Sequence, residues 1–174
     1  MNCLWILVAW IAVQPVAEKK ATLPAISIDA SVNEMNDGYL AWMRQHPGVV
    51  PKGTPLKLAM PTIDIYSPEG ALLYYGGDST ENAALLRTLP RNIKNVKSAA
   101  LTTSMPRPSL KEAIEMFSAL REREAALLSG KRFTIFAFTY PNWDRCKEQN
   151  EAIEQLRGRI TQSELRIIEV RLHK

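Results

Sequence analysis

Cys146 is the most reactive side-chain type in this chain, and it sits inside the run Trp143-Asp144-Arg145-Cys146-Lys147. Thiolate is the reactive form of cysteine, and a helix N-terminus or neighbouring cations stabilise it. Cys146 is therefore a candidate catalytic residue, with Arg145 and Lys147 as electrostatic support. The same position suits a small buried hydrophobe, since free cysteine is among the most buried residue types. Asp144 fits a helix cap better than an acid, and Trp143 fits a packing or platform residue better than a catalytic one. A proline, Pro61, also precedes the alternating segment Thr62–Tyr66. The two histidines, His46 and His173, do not make a metal site, and His46 reads as a surface residue ending a helix. No serine stands in a recognisable nucleophile motif, and no glycine-rich phosphate loop is present. No metal and no cofactor are expected.

The other cysteine is Cys3, at the head of an apolar run that ends at Glu18-Lys19-Lys20. Residues 1–17 carry no charged side chain. The run is shorter than the roughly 20 apolar residues of a membrane span. It suits the apolar region of a secretory signal, with cleavage after Ala17. A retained membrane anchor is the alternative. The expected location is periplasmic or otherwise exported. Removal of the leader leaves Cys146 as the single cysteine, which allows a free thiol, a mixed disulfide or a disulfide-linked dimer. Lysines and arginines exceed acidic residues by 22 to 18, but they are spread along the chain. No basic block is interleaved with aromatics, so nucleic acid is not an expected partner.

The length of 174 residues suits one domain with an appendage. Residues 18–30 read as a linker and 31–174 as the domain. Ser31 and Glu34 have capping-box spacing ahead of a helix over Val32–Gln45, with Val32, Met35, Tyr39 and Met43 on one face. Residues 49–57 read as a loop. Thr62–Tyr66 and Leu72–Tyr75 form a hairpin about the turn Ser67-Pro68-Glu69-Gly70. Asp78 and Glu81 open a helix that Pro90 stops. Ser98–Thr102 reads as a short strand. Ser109 and Glu112 open a helix to about Ser129, closed by Gly130. Phe133–Phe138 reads as a central strand buried on both faces. A helix to about Arg157 and a strand over Leu165–Leu172 complete the pattern. Strands alternating with helices predict an α/β sandwich.

These elements resemble the thioredoxin-like superfamily in permuted order. Residues 31–90 resemble its second half: helix, strand opening with Pro-Thr, tight turn, return strand, helix. Residues 131–172 resemble its first half: central strand, Trp-x-x-Cys-Lys at a helix start, next strand. The resemblance implies a mixed central sheet and a cis peptide at Pro61. It also implies that the backbone of Met60 is offered to an extended peptide or thiol substrate, making Met60, Pro61, Thr62 and Trp143 candidate substrate-binding residues. The family's attacking cysteine is missing: Trp143 or Asp144 takes its place, depending on alignment. A second resemblance is local. Thr103-Ser104-Met105-Pro106 with Ser109-Leu110 is similar to a periplasmic family that assembles conjugative pili, whose thioredoxin-like fold carries Ser-Met-Pro near the place of the redox motif.

Two functions follow as expectations. The first is an exported, redox-dead thioredoxin-like module that binds or helps assemble another envelope protein, of the conjugation or secretion type. Its partner would be a protein or an extended peptide. The alternative is a single-cysteine thiol-disulfide oxidoreductase or peroxidase-like enzyme acting through Cys146. Exposure of the Cys146 sulfur separates them.

Overall fold

Aromatic and β-branched side chains fill nearly every position of Phe133–Thr139, and five of these seven residues are buried. In the computed structural model, which describes residues 25–47, 60–96, 107–130, 132–160 and 164–174, this run is the middle strand of a five-stranded sheet. The strands are β1 (Ala25–Ser31), β2 (Thr62–Tyr66), β3 (Leu72–Gly76), β4 (Phe133–Thr139) and β5 (Leu165–His173). Their spatial order is β1-β5-β4-β2-β3. β1, β5 and β4 run parallel, whereas β2 is antiparallel to β4 and β3 is antiparallel to β2. The chain is therefore mixed α/β. The hairpin and the central strand share one sheet, as the sequence pattern predicts.

Among the described residues six helices cover the two faces: α1 (Val32–Gln45), α2 (Ser79–Thr88), α3 (Leu110–Glu115), α4 (Ser118–Arg121), α5 (Glu124–Leu128) and α6 (Lys147–Arg157). Side chains of a strand alternate between faces, so each strand serves two cores. On one face Tyr66, Phe136, Ile168 and Val170 pack with Met35 of α1, Ile114 of α3, Leu120 of α4 and Leu127 of α5. On the other, Ile63, Ile65, Ile135 and Ile167 pack with Leu86 of α2 and Ile153 and Leu156 of α6. Caps start the helices where the sequence places them. Ser31 accepts from the Glu34 N–H, Asp78 from the Thr80 and Glu81 N–H groups, and Ser109 and Glu112 form a reciprocal capping box.

Two expectations are corrected. The linker expected over 18–30 ends early, because Ala25–Ser31 is the edge strand β1. Ile26, Ile28 and Ala30 enter the core while Ser27 and Asp29 point away, the alternation of a half-buried strand. Arg157 of α6 holds this edge by donating to both Ser27 Oγ and the Glu169 carboxylate of β5. The single helix expected over 109–129 is instead three short helices. Phe117 is extended and fully buried, which breaks the helix, and Glu34 of α1 caps the next one by accepting from Ser118 N–H (3.0 Å) and Oγ (2.9 Å). Gly38 permits this approach, since a side chain there would meet Met116 at the break. The leader over residues 1–17, the loop over 49–57, the strand over 98–102 and the segment 103–106 lie outside the described residues. No helix among the described residues is long and apolar enough to cross a membrane.

Phe136 is fully buried, with its ring centroid 5.2 Å from Phe138 and 6.1 Å from Phe117. Phe136→Ala is expected to cost about 3–5 kcal/mol of stability in urea titration. A loss below about 1 kcal/mol would contradict the two-sided burial of β4.

Candidate functional site

The central strand delivers its C-terminal end to one edge of the sheet, and the candidate residues gather there. After Thr139 the chain turns through Tyr140–Trp143 into a single 3-10 turn, Asp144–Cys146, which runs on into α6. Trp143 O accepts from the Cys146 N–H at 2.8 Å. This turn draws Cys146 under the loop. The Tyr140 N–H donates to Sγ at 3.4 Å, and the cysteine has no exposed surface. Burial pushes the thiol above its ordinary value, with the Tyr140 N–H pulling the other way. The thiolate support expected from Arg145 and Lys147 is corrected: both side chains are exposed, and the net effect on the thiol is upward rather than downward. Asp144 is also corrected as a cap. It opens the 3-10 turn, and no side chain caps either that turn or α6.

Met60 and Pro61 stand opposite this turn. Their peptide bond is cis, as is Leu89–Pro90. The β2–β4 ladder begins at Thr62 opposite Phe138, so Met60 lies past its end. Met60 and Pro61 form one wall of a cleft of about 400 Å³, Asp144, Arg145 and Glu148 form the other, and Gly77–Thr80 at the start of α2 close it. The structure thus brings Met60, Pro61 and Arg145 together. Trp143 faces elsewhere: it lines a separate hollow of about 700 Å³ with Tyr140, Asp29, Leu172 and His173. Its ring makes an edge contact with Tyr140 and lies 5.4 Å below the Arg145 guanidinium. Cys146 and Lys147 line neither space. Thr62 is buried and lines neither space; it faces the α1 and α3 layer together with Asp64.

The residue that positions both walls is Gln149, which is fully buried on α6. Its Nε2 donates to Phe138 O (3.3 Å) and Thr62 O (3.5 Å), and its Oε1 accepts from Asn82 Nδ2 at 2.6 Å. Asn82 of α2 also donates to Gly76 O at 3.2 Å. One pair of amides therefore joins β2, β3, β4, α2 and α6 directly beneath the cleft. A side chain at Gly76 would strike Asn82 and the Tyr74 hydroxyl, so glycine is required there. Nothing local in the sequence marks Gln149, because a glutamine in a helix is ordinarily a solvent-facing residue.

A second unmarked group lies on the opposite face of β2. Asp64 is buried, and desolvation pushes its carboxyl up to about 6, while Arg107 and a 3.4 Å bond from Tyr66 OH act downward. His46 is more than a helix end: its Nε2 lies 3.0 Å from Glu112 Oε1, and its ring stacks on Trp42. Among the described residues no group of three or more His, Cys, Asp or Glu side chains could hold a metal ion. Comparison with protein-family models, curated proteins and solved structures returns no match to this chain.

In native protein, Cys146 is expected to resist alkylation at neutral pH and to react at the rate of a model thiol once urea unfolds the chain. Fast native alkylation with a midpoint below about 8.5 would overturn the buried assignment. Asp64 sets a pH dependence of stability. The folded carboxyl keeps its proton up to about 6, whereas an unfolded one releases it near about 3.9. Its contribution is fully present below the unfolded value and is lost as pH rises through about 6. Asp64→Asn should lack this loss. Urea midpoints of the two proteins should converge in acid, with the variant the more stable at neutral pH.

Proposed function

We propose that this chain is a thioredoxin-like module in permuted order that binds an extended segment of another protein and performs no redox chemistry. The sheet order supports the fold: a parallel edge, a central strand leading to the Trp-x-x-Cys-Lys turn, and an antiparallel hairpin opened by Pro61. Helices α2 and α6 cover one face and α1 with α3–α5 the other. The permutation is the arrival of the hairpin before the central strand in the chain. The envelope location is the one that the apolar residues 3–17 imply.

The observation that carries the binding function is the cleft. Met60-Pro61 faces Asp144-Arg145 across a space open to solvent, and the neighbouring cysteine sulfur is buried under the Tyr140 amide. Met60 lies beyond the last ladder pair, where an extended partner can run beside the main chain and be recognised by backbone hydrogen bonds. Asp144 and Glu148 give the opposite wall two exposed carboxylates beside Arg145, and Asp78, whose Oδ1 accepts from the Thr80 and Glu81 amides, adds a third. The preferred segment is extended and carries a basic side chain. The rival function, Cys146 as a nucleophile, has the buried and upward-shifted thiol against it.

A displayed library of random linear peptides panned on the full chain tests this. Enriched peptides should contain Lys or Arg and should perturb the amide resonances of Gly77, Thr80 and Arg145. Thr80→Trp, which fills the cleft from an exposed position, should weaken them about tenfold or more, a loss of about 1.4 kcal/mol. Glu148→Lys should do the same for the basic peptides. Peptides that bind both variants at full strength, or that map to Trp143 and Leu172 instead, would refute the cleft as the binding site.

A further inference from the structure

Asp64 takes no part in the cleft, yet it is the least expected residue of the sheet. It projects from β2 into the layer of α1 and α3 with 3% of its surface exposed. Its Oδ2 accepts a long bond from Tyr66 OH, and its Oδ1 has no hydrogen-bond partner. Buried carboxylate oxygens are normally satisfied, so an unpartnered one needs an explanation. Arg107 Nε is likewise buried and unpartnered, while the guanidinium lies 3.7 Å from the Tyr75 ring centroid. Both residues line one small, partly open pocket of about 30 Å³, together with Tyr39, Thr62 and Met60. Met60 also forms a wall of the surface cleft. Met60 therefore borders both the pocket of the buried ionisable group and the exposed site.

We propose that Asp64 is a proton-sensing site: ionised, it holds Arg107 across the pocket, and protonated, it releases Arg107 and lets Met60 repack at the cleft wall. The geometry supplies the three parts such a device needs. They are a buried carboxyl whose Oδ1 has no protein partner, a cation within electrostatic reach of it, and a small pocket that the Met60 wall borders. The groups around Asp64 are consistent with one dominant proton equilibrium. Tyr66 is on its own strand, Tyr75 on β3, Tyr39 on α1 and Arg107 ahead of α3. Glu112 of α3 acts on Tyr66, and the β4 partner of Asp64 is the uncharged Phe136. Burial raises all three of Tyr39, Tyr66 and Asp64, so the tyrosines stay neutral while the carboxyl changes charge at about 6. Nothing in this proposal depends on what occupies the cleft.

The test is NMR of the full chain with labelled methionine methyls and aspartate carboxyls, followed from about pH 4.5 to about pH 8. The Met60 methyl resonance should shift with the same midpoint as the Asp64 carboxyl. In Asp64→Asn the Met60 shift should vanish. In Arg107→Gln both midpoints should rise together, because the cation that favours the charged form is gone. His46 contacts Glu112 of α3 in the same layer, so the measurement is repeated in His46→Gln, where the Met60 midpoint should stay. The proposal is overturned by a Met60 resonance that ignores pH while Asp64 titrates. A Met60 shift that persists in Asp64→Asn, or disappears in His46→Gln, overturns it as well. Should Asp64→Asn fail to fold, Arg107→Gln decides: a midpoint that stays or falls sinks the pairing.

Discussion

Strand β4 must be covered on both faces and paired on both edges, and the rest of the molecule is arranged to meet that demand. Phe136 needs the layer of α1 and α3–α5, and Ile135 and Ala137 need α2 and α6. One edge takes β5 in parallel, which requires the crossover through α6. The other takes β2 antiparallel, which brings in the hairpin from much earlier in the chain. The two candidate segments are the end of β4 and the start of its antiparallel neighbour β2. The Tyr140–Cys146 turn is where β4 stops, and Met60-Pro61 is where β2 starts, opposite the same end. Antiparallel pairing alone places them side by side.

Pairing sets the rough distance, and buried amides set the detail. Gln149 reaches back from the first turn of α6 to carbonyls of both β4 and β2, and Asn82 fixes it from α2. Each buried polar group here has a partner, which makes the arrangement specific rather than merely apolar. The same packing that orders the turn also seals the cysteine. A 3-10 turn tightens the chain relative to an α-helix, and Sγ ends beneath the Tyr140 amide instead of at the surface. The geometry that would present a nucleophile and the geometry observed differ in this turn.

The two faces of β2 are chemically unlike. Ile63 and Ile65 enter a dry core, whereas Thr62, Asp64 and Tyr66 enter a layer that also contains Tyr39 and Arg107. A buried charge next to a pocket is the costliest kind of residue for a sheet to keep. Its position behind Met60 makes the cleft wall the natural place for its charge state to be felt.

The sequence by itself determined the elements whose signals are local. Ser31, Asp78 and Ser109 announce their helices because a cap needs only the next three residues, and Phe133–Phe138 announces a buried strand because no shorter-range arrangement hides so apolar a run. The turn at Pro68-Gly70 and the Pro61 strand opening were legible for the same reason. Strand β1 was nearly legible: Ile26, Ile28 and Ala30 alternate, but an edge strand needs a partner, and that partner, β5, lies at the far end of the chain. Only the tertiary structure decided that the 109–129 segment breaks at Phe117, because the cap for the next helix comes from Glu34 on another helix. It alone decided that Cys146 is buried, that Trp143 faces away from Met60, and that Gln149 and Asp64 matter. Each of these depends on what stands opposite a side chain across the sheet, and spacing along the chain carries no record of that.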